Sequence, residues 1–264
     1  MKHVPDATAD RKFESDNTVD RVGVDGLLSE LDEYAVEQAL QLKEKTAAGE
    51  EGQESTVTAL CMGPEKAVDA IRKALQMGAD RGVHVLDDAI AGSDAMATSL
   101  VLAKAVERIG ADSKVDIVMC GMASTDGAMS VVPAMLAERL GLPQVTQASV
   151  VEAQGDQVRI KRDGDSATEV VGATMPLVLS VTDQSGEARY PSFKGIMAAK
   201  KKPLETYSLS DLGVDADQVG LSVAWTVVED TTERPPRTAG EIVKDEDGSG
   251  AKALTEFLAS KKFI

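Results

Sequence analysis

Apolar and polar positions follow two rhythms along this chain. In the first half, short solid apolar runs alternate with stretches of helical period. Ser55-Thr56-Val57-Thr58-Ala59-Leu60-Cys61 reads as a strand. Pro64 sits where a helix starts, since its missing N–H is not needed there. That helix runs to about Met77, and Gly78 ends it. Gly82 to Leu86 is the next strand, and Ser93 or Asp94 caps a long helix to about Ile109. Val115 to Gly121 reads as a buried strand, followed by a helix from about Ser130 to Leu140. Solid strands separated by amphipathic helices imply a mostly parallel sheet covered on both faces, a doubly wound α/β arrangement.

The second half changes period. Ser149–Ala153 and Gln157–Lys161 flank Gln154-Gly155-Asp156, a hairpin signal. Ala167–Gly172 adds a strand before Met175-Pro176, and Leu177–Val181 returns to a buried run. From about Glu229 the composition turns polar and rich in Pro and Gly, as in Glu233-Arg234-Pro235-Pro236-Arg237. A short amphipathic helix follows over about 251–261, with Leu254, Phe257 and Leu258 as its stripe. The expected division is an α/β domain over 1–228 and a C-terminal arm over 229–264.

Composition narrows the function. The formal charge is −16, with acids such as Asp6, Asp10, Asp16, Asp20, Asp25, Glu50, Glu51, Asp87, Asp88, Asp245, Glu246 and Asp247 spread along the chain. Such a surface repels nucleic acid and anionic membranes, and it suits a protein kept in solution at high salt. No apolar run approaches the ~20 residues that span a bilayer, and no secretory h-region follows Met1, so a cytoplasmic location and no membrane insertion are expected. Cys61 and Cys120 each end a predicted strand and read as reduced, small apolar side chains. No enzyme constellation is present: His3 and His84 are far apart in sequence, and no metal spacing, Walker loop or G-x-G-x-x-G occurs.

Two segments carry candidate chemistry. Gly121-Met122-Ala123-Ser124-Thr125-Asp126-Gly127-Ala128-Met129-Ser130-Val131-Val132 joins a buried strand to a helix. It therefore lies at the C-terminal edge of a parallel sheet, where nucleotides bind and helix N-termini hold phosphates, though such a loop also serves as plain connection. Arg189-Tyr190-Pro191-Ser192-Phe193-Lys194-Gly195-Ile196-Met197-Ala198-Ala199-Lys200-Lys201-Lys202-Pro203 places Phe193, Ile196 and Met197 on one helical face beside three lysines. One apolar turn is too small to support a core. It reads either as a surface helix with a basic end or as a docking turn for another protein's groove.

This last segment resembles the signature of the electron transfer flavoprotein beta subunit, the small or FixA-type subunit. The similarity extends in family order through Asp32–Glu44, Gly63-Pro64, Ala74–Gly82, Leu136–Thr146 and Arg237-Thr238-Ala239-Gly240. The resemblance implies a Rossmann-like, adenine-nucleotide-hydrolase-like fold with an added hairpin and an extended C-terminal arm that embraces a larger alpha subunit. It implies a heterodimer in which FAD is held mainly by the alpha subunit. Electrons pass from acyl-CoA or related dehydrogenases, as in fatty acid oxidation, to a membrane quinone oxidoreductase, with no bond chemistry by this subunit. In the family the Gly121–Val132 loop binds AMP, or a second FAD, and usually reads Asp-Gly-Asp-Thr-Gly-Gln. Here Asp126 and Gly127 are kept, while Ala128, Met129 and Val131 replace Asp, Thr and Gln, which removes side-chain phosphate ligands.

Other positions carried over as cofactor-binding are Ser29, Glu30, Leu31 and Asp32, where Asn-Pro-Phe-Asp is common, and Met62. The partner-binding set is Arg189, Tyr190, Pro191, Ser192, Phe193, Ile196, Met197 and Lys200, with Phe193 in place of the family's leucine anchor. The family also has a strand ending just before its Lys-x-Val-Pro-Asp turn. Only Met1 precedes Lys2-His3-Val4-Pro5-Asp6, so roughly five or six residues of that strand are expected to be missing through a misassigned start or a shortened chain; if the start is genuine, that sheet position is expected to be empty or filled by a partner. The alternative reading is an adenine-nucleotide-binding domain of the universal-stress-protein or nucleotide-hydrolase kind, which needs neither the Arg189–Lys202 segment nor the arm.

Overall fold

Strand and helix alternate through the first half of the computed structural model, which describes residues 1–8, 12–49, 55–232, 235, 239–240, 242–245 and 247–264. Asp10, Glu50, Glu51, Glu246 and, from the linker and arm motifs, Glu233, Arg234, Pro236, Arg237 and Thr238 lie outside the described residues. Backbone contacts divide the chain into Met1–Glu229 and Asp230–Ile264.

The first unit opens with β1 (His3–Pro5), β2 (Gly26–Leu28), α1 (Glu30–Gly49), β3 (Thr58–Met62), α2 (Val68–Met77), β4 (Arg81–Val85), α3 (Ala95–Asp112), β5 (Ile117–Gly121) and α4 (Val132–Leu140). It continues with β6 (Gln144–Ala148), β7 (Val150–Gln154), β8 (Gln157–Asp163), β9 (Thr168–Thr174), β10 (Leu177–Val181), α5 (Phe193–Ala199) and β11 (Leu204–Tyr207). The element ends have local causes. Asp94 caps α3 by accepting from the Ala97 N–H. Gly78 closes α2 at φ 144, a conformation open to glycine.

The parallel strands form two sheets of three, in the orders β11-β4-β3 and β5-β10-β6. The sequence pattern predicts one continuous doubly wound sheet. The difference lies at a single seam, where β3 and β5 each pair on one edge only. β10 is central in its sheet and all five of its residues are buried, as a solid apolar run requires. β5 is just as apolar, yet Ile117 to Cys120 are only half-buried. The β7-β8-β9 meander is antiparallel, and Gly155-Asp156 make the tight turn that the hairpin signal predicts. Lys2–Asp6, expected as a turn, contains β1, paired antiparallel with β2. β11 was not legible, because its four residues alternate weakly; it extends the sheet beside β4.

The helices cover both faces and bridge the seam. Val36 and Leu40 of α1 pack with Ala59 and Cys61 of β3, and Ala35 packs with Ile117 and Met119 of β5. On the opposite face, Val101, Ala105 and Ile109 of α3 meet Leu60 and Met62, while Leu102 and Ala103 meet Val118 and Cys120. The second unit holds α6 (Ser249–Ser260), with no residue buried and Leu254 and Phe257 exposed. No helix among the described residues is long and apolar enough to cross a membrane.

Candidate functional site

The loop after β5 and the start of α1 come together, although about ninety positions separate them. Asp32 organises the junction. Its carboxylate accepts from the Gly121 N–H at 3.2 Å and from the Lys2 N–H at 2.7 Å. Ser29, fully buried, accepts on its hydroxyl from the Thr125 N–H at 3.4 Å. Glycine is required at 121, because a Cβ there would lie 2.7 Å from the Leu31 carbonyl oxygen and 2.8 Å from the Asp32 carboxylate. Asp32, Met62, Gly121–Ser124, Gly127, Met129, Ser130 and Val132 line one cleft. Ser29, Glu30, Leu31, Thr125, Asp126, Ala128 and Val131 stand behind that surface or beside it.

Charge in the site centres on Asp126. Its side chain is only 6% exposed and takes Lys2 Nζ at 2.8 Å and Arg21 at 2.5 Å. Burial alone would raise its pKa, but the two cations overcome that and hold the carboxyl well below the usual range. The Lys2 ammonium is pulled down by burial, which Asp126 resists. Lys2 and Arg21 were not singled out from the sequence. Lys2 belongs to the Lys-x-Val-Pro-Asp turn and so carried a signal, whereas Arg21 lies in an acidic stretch with none.

Beyond Asp126 the backbone is shaped for an anion. Ala128 and Ser130 adopt φ of 50° and 57°, left-handed values that non-glycine residues seldom take. α4 begins with no side-chain cap. Among the described residues, the amides of Met129, Ser130, Val131 and Val132 have no protein acceptor. Uncapped N–H groups at a helix N-terminus attract phosphate oxygens. The loop thus keeps backbone donors where the expected side-chain ligands are lost, and the residues present fit a phosphate group.

The Arg189–Lys202 segment forms a separate surface. Ser192 caps α5 by accepting from the Gly195 N–H at 3.0 Å. Tyr190 is 92% exposed and Phe193 81%, with Ile196 and Met197 also exposed. Arg189 faces inward instead. Its guanidinium pairs with buried Glu37 at 2.7 Å and with Glu44 at 2.5 Å, both on α1. These carboxylates raise the Arg189 pKa, and Arg189 and Gln41 hold Glu37 low against its burial. Arg189 and Ser192 therefore hold the segment in place, and Tyr190, Phe193, Ile196 and Met197 are what it displays. Pro191 is half-buried and Lys200 is exposed at the helix C-cap.

His3 and Cys120 are among the residues that line the cleft, and His84 and Cys61 are not. His84 is buried with its Nε2 3.0 Å from the Gly63 carbonyl, and both thiols are free. Burial pushes Cys120 up to about 11. Among the described residues no group of His, Cys, Asp and Glu could hold a metal ion.

Comparison with known proteins gives a consistent picture. Residues 16–212 match the model of the electron transfer flavoprotein domain. The chain is 45% identical over 265 residues to the electron transfer flavoprotein subunit beta of Mycobacterium tuberculosis, covering all of this chain and 97% of that one. It is 43% identical over 265 residues to the corresponding Mycobacterium leprae subunit, again covering all of this chain and 97% of that one. It is 33% identical over 271 residues to that of Megasphaera elsdenii, covering all of this chain and 98% of that one.

Proposed function

Since the chain belongs to the electron transfer flavoprotein family as a beta subunit, we propose that it is the smaller half of a two-subunit electron carrier working in the cytoplasm. Family membership removes the need for the nucleotide-hydrolase reading. In this reading the partner is an alpha subunit that carries most of the FAD site. FAD supplies the redox chemistry when bound, and this chain makes and breaks no bonds of its own. Its work is to position, shield and dock.

The Gly121–Val132 loop takes the phosphate of AMP. The uncapped amides of Met129 to Val132 are the donors, and Lys2 and Arg21 supply positive potential, half-neutralised by Asp126. Ser29 and Asp32 hold the loop through the Thr125 and Gly121 amides, Asp32 from the cleft lining and Ser29 from outside it. Met62 closes the cleft wall beside them.

The observation that carries the reading is α5. A seven-residue helix with no buried residue keeps Phe193 in water, while Arg189 locks its base to α1 with a four-oxygen fork on Glu37 and Glu44. A large aromatic held rigidly outward suits insertion into an apolar pocket on an acyl-CoA-type dehydrogenase. Lys200, Lys201 and Lys202 follow it, and Lys202 is tied to the Leu75 carbonyl at 2.9 Å, leaving the other two to steer an acidic partner. Delivery of electrons to a quinone oxidoreductase completes the scheme.

Phe193→Ala tests it. The variant is expected to assemble with the alpha subunit and keep the flavin spectrum, while its rate of reduction by the dehydrogenase falls at least ~10-fold, as loss of an interface anchor does. An unchanged rate with the purified dehydrogenase removes the docking role.

A further inference from the structure

One stretch of the cleft lining is held by polar clips alone. Thr226, Val227 and Val228 line the cleft together with Asn17 and Arg21, which share a loop near the start of the chain. Residues 225–229 belong to no helix or strand, and every one of them is exposed. Trp225 is 84% exposed and Val227 and Val228 56% each, so the segment buries no apolar anchor of its own. Among the described residues, no backbone group outside the segment bonds to it. Two side chains hold it instead. One oxygen of the Asp94 carboxylate accepts from the Trp225 N–H at 2.9 Å, the Thr226 N–H at 3.1 Å and the Thr226 hydroxyl at 3.3 Å. Its other oxygen accepts from the Ala97 N–H and caps α3. At the far end, the Asn17 side-chain amide donates to the Val228 carbonyl at 3.3 Å and the Glu229 carbonyl at 3.1 Å.

The surroundings of the segment are fixed. Just upstream, Val219 is buried, the Gly220 N–H donates to the Ser93 hydroxyl at 2.8 Å and the Leu221 N–H to the Ala91 carbonyl at 3.2 Å. Gly220 takes φ 88, and a Cβ there would lie 2.7 Å from the Ala89 carbonyl oxygen. Asn17 sits at φ 62 in a loop closed by the Phe13–Val19 bridge and by the Glu14 N–H on the Thr18 carbonyl at 2.8 Å. Further along that loop, Arg21 is tied to the His3 carbonyl at 3.0 Å and to Asp126. A segment with a rooted start, outward apolar side chains and only hydrogen bonds along its length opens at low cost. Water replaces those bonds, and no buried surface is lost.

We propose that Asp94 and Asn17 are positioning residues, which clip residues 225–229 down as a movable wall of the cleft past which an adenine nucleotide enters and leaves. Val219 to Leu221 are the root, and Trp225 to Glu229 are the part that lifts. Met62 and Gly121, which line the same cleft, belong to β3 and β5, so the wall is the part that can yield. Arg21 ties the Asn17 loop to Asp126, which gives the wall and the phosphate loop a shared support. The passenger rests on the reading of Gly121–Val132 as a nucleotide loop, and the wall rests on its own contacts.

Full-length chains carrying Asp94→Asn or Asn17→Gly test it. Asparagine keeps one carbonyl oxygen, enough to cap α3 but not to take the Trp225 and Thr226 donors as well. Glycine adopts φ 62 without strain and removes the second clip. Both variants are expected to melt within about 3 °C of the parent, since no buried group is touched. Their Trp225 and Thr226 amides should exchange at least ~10-fold faster. Trp225 is the only tryptophan of the chain, so its fluorescence anisotropy should fall as well. Calorimetry gives the affinity for AMP, and stopped-flow mixing with a fluorescent AMP gives the rates. Association and dissociation should both quicken at least ~3-fold, leaving Kd within about 2-fold of the parent's. Unchanged amide exchange overturns the clips, and faster exchange with unchanged AMP rates overturns the passage. A rise in the dissociation rate alone makes the segment part of the binding surface and equally overturns the proposal. Should one variant not fold, the other carries the same comparison. A parent chain that binds no AMP defeats the nucleotide reading itself, and the passage with it, whatever the amides of the wall do.

Discussion

At the residue scale, paired carboxylates decide how this protein responds to acid. Asp126 beside Lys2 and Arg21, and Glu37 beside Arg189, both bind protons less readily in the folded state than in the unfolded one. The unfolded chain therefore takes up protons first as pH falls. The stability these groups contribute is complete at neutral pH and declines from about pH 5 downward. Thermal melts from pH 7 to pH 3 should show that decline, and Asp126→Asn should flatten it. The same substitution leaves Lys2 facing Arg21 without the anion between them, so stability at pH 7 should also fall, by about 1–3 kcal/mol, read as a lower Tm. A Tm at pH 7 and a pH slope both equal to those of the parent chain would show that the triad is idle. The sequence showed Asp126 as a loop residue, but not its role as counter-ion, since Lys2 and Arg21 reach it only through the fold.

At the element scale, the joint between β5 and α1 sets the shape of the candidate site. Periodicity located the strand, the loop and the start of the next helix to within a few residues. It could not show that Ser29 and Asp32 would close on Thr125 and Gly121, because those bonds link positions about ninety apart. Gly121→Ala tests the joint. The new methyl would press on the Leu31 carbonyl and the Asp32 carboxylate, both under 3 Å away, and neither is the free end of a flexible side chain. The expected cost is about 1–3 kcal/mol, read as a lower Tm, with weaker binding of AMP in a titration of the purified protein. A neutral result would mean that α1 can retreat at no cost. At α5 the apolar spacing of Phe193, Ile196 and Met197 marked a helical face correctly, but its rigidity comes from Arg189 gripping α1, which no local pattern announces.

At the scale of the whole molecule, the −16 charge on 264 residues is a stability term as well as a solubility term. Self-repulsion among acids spread over the surface weakens the fold in dilute buffer and is screened when the Debye length shrinks from about 10 Å at 0.1 M salt to about 3 Å at 1 M. Tm should therefore climb between those two salt concentrations, and an unchanged melt would remove the case for adaptation to high salt. The charge balance, the βα alternation and the hairpin are composition and local periodicity, so the sequence alone determined them. Family motifs in order along the chain determined the kinship. Only the tertiary structure decided that the parallel strands divide at the edges of β3 and β5, that Lys2, Arg21 and Asp126 form one charged cluster, and that Arg189 points inward while Phe193 points out. Each of these is set by contacts between residues distant in the chain, where loop closure and packing against a shared helix outweigh any preference written in neighbouring positions.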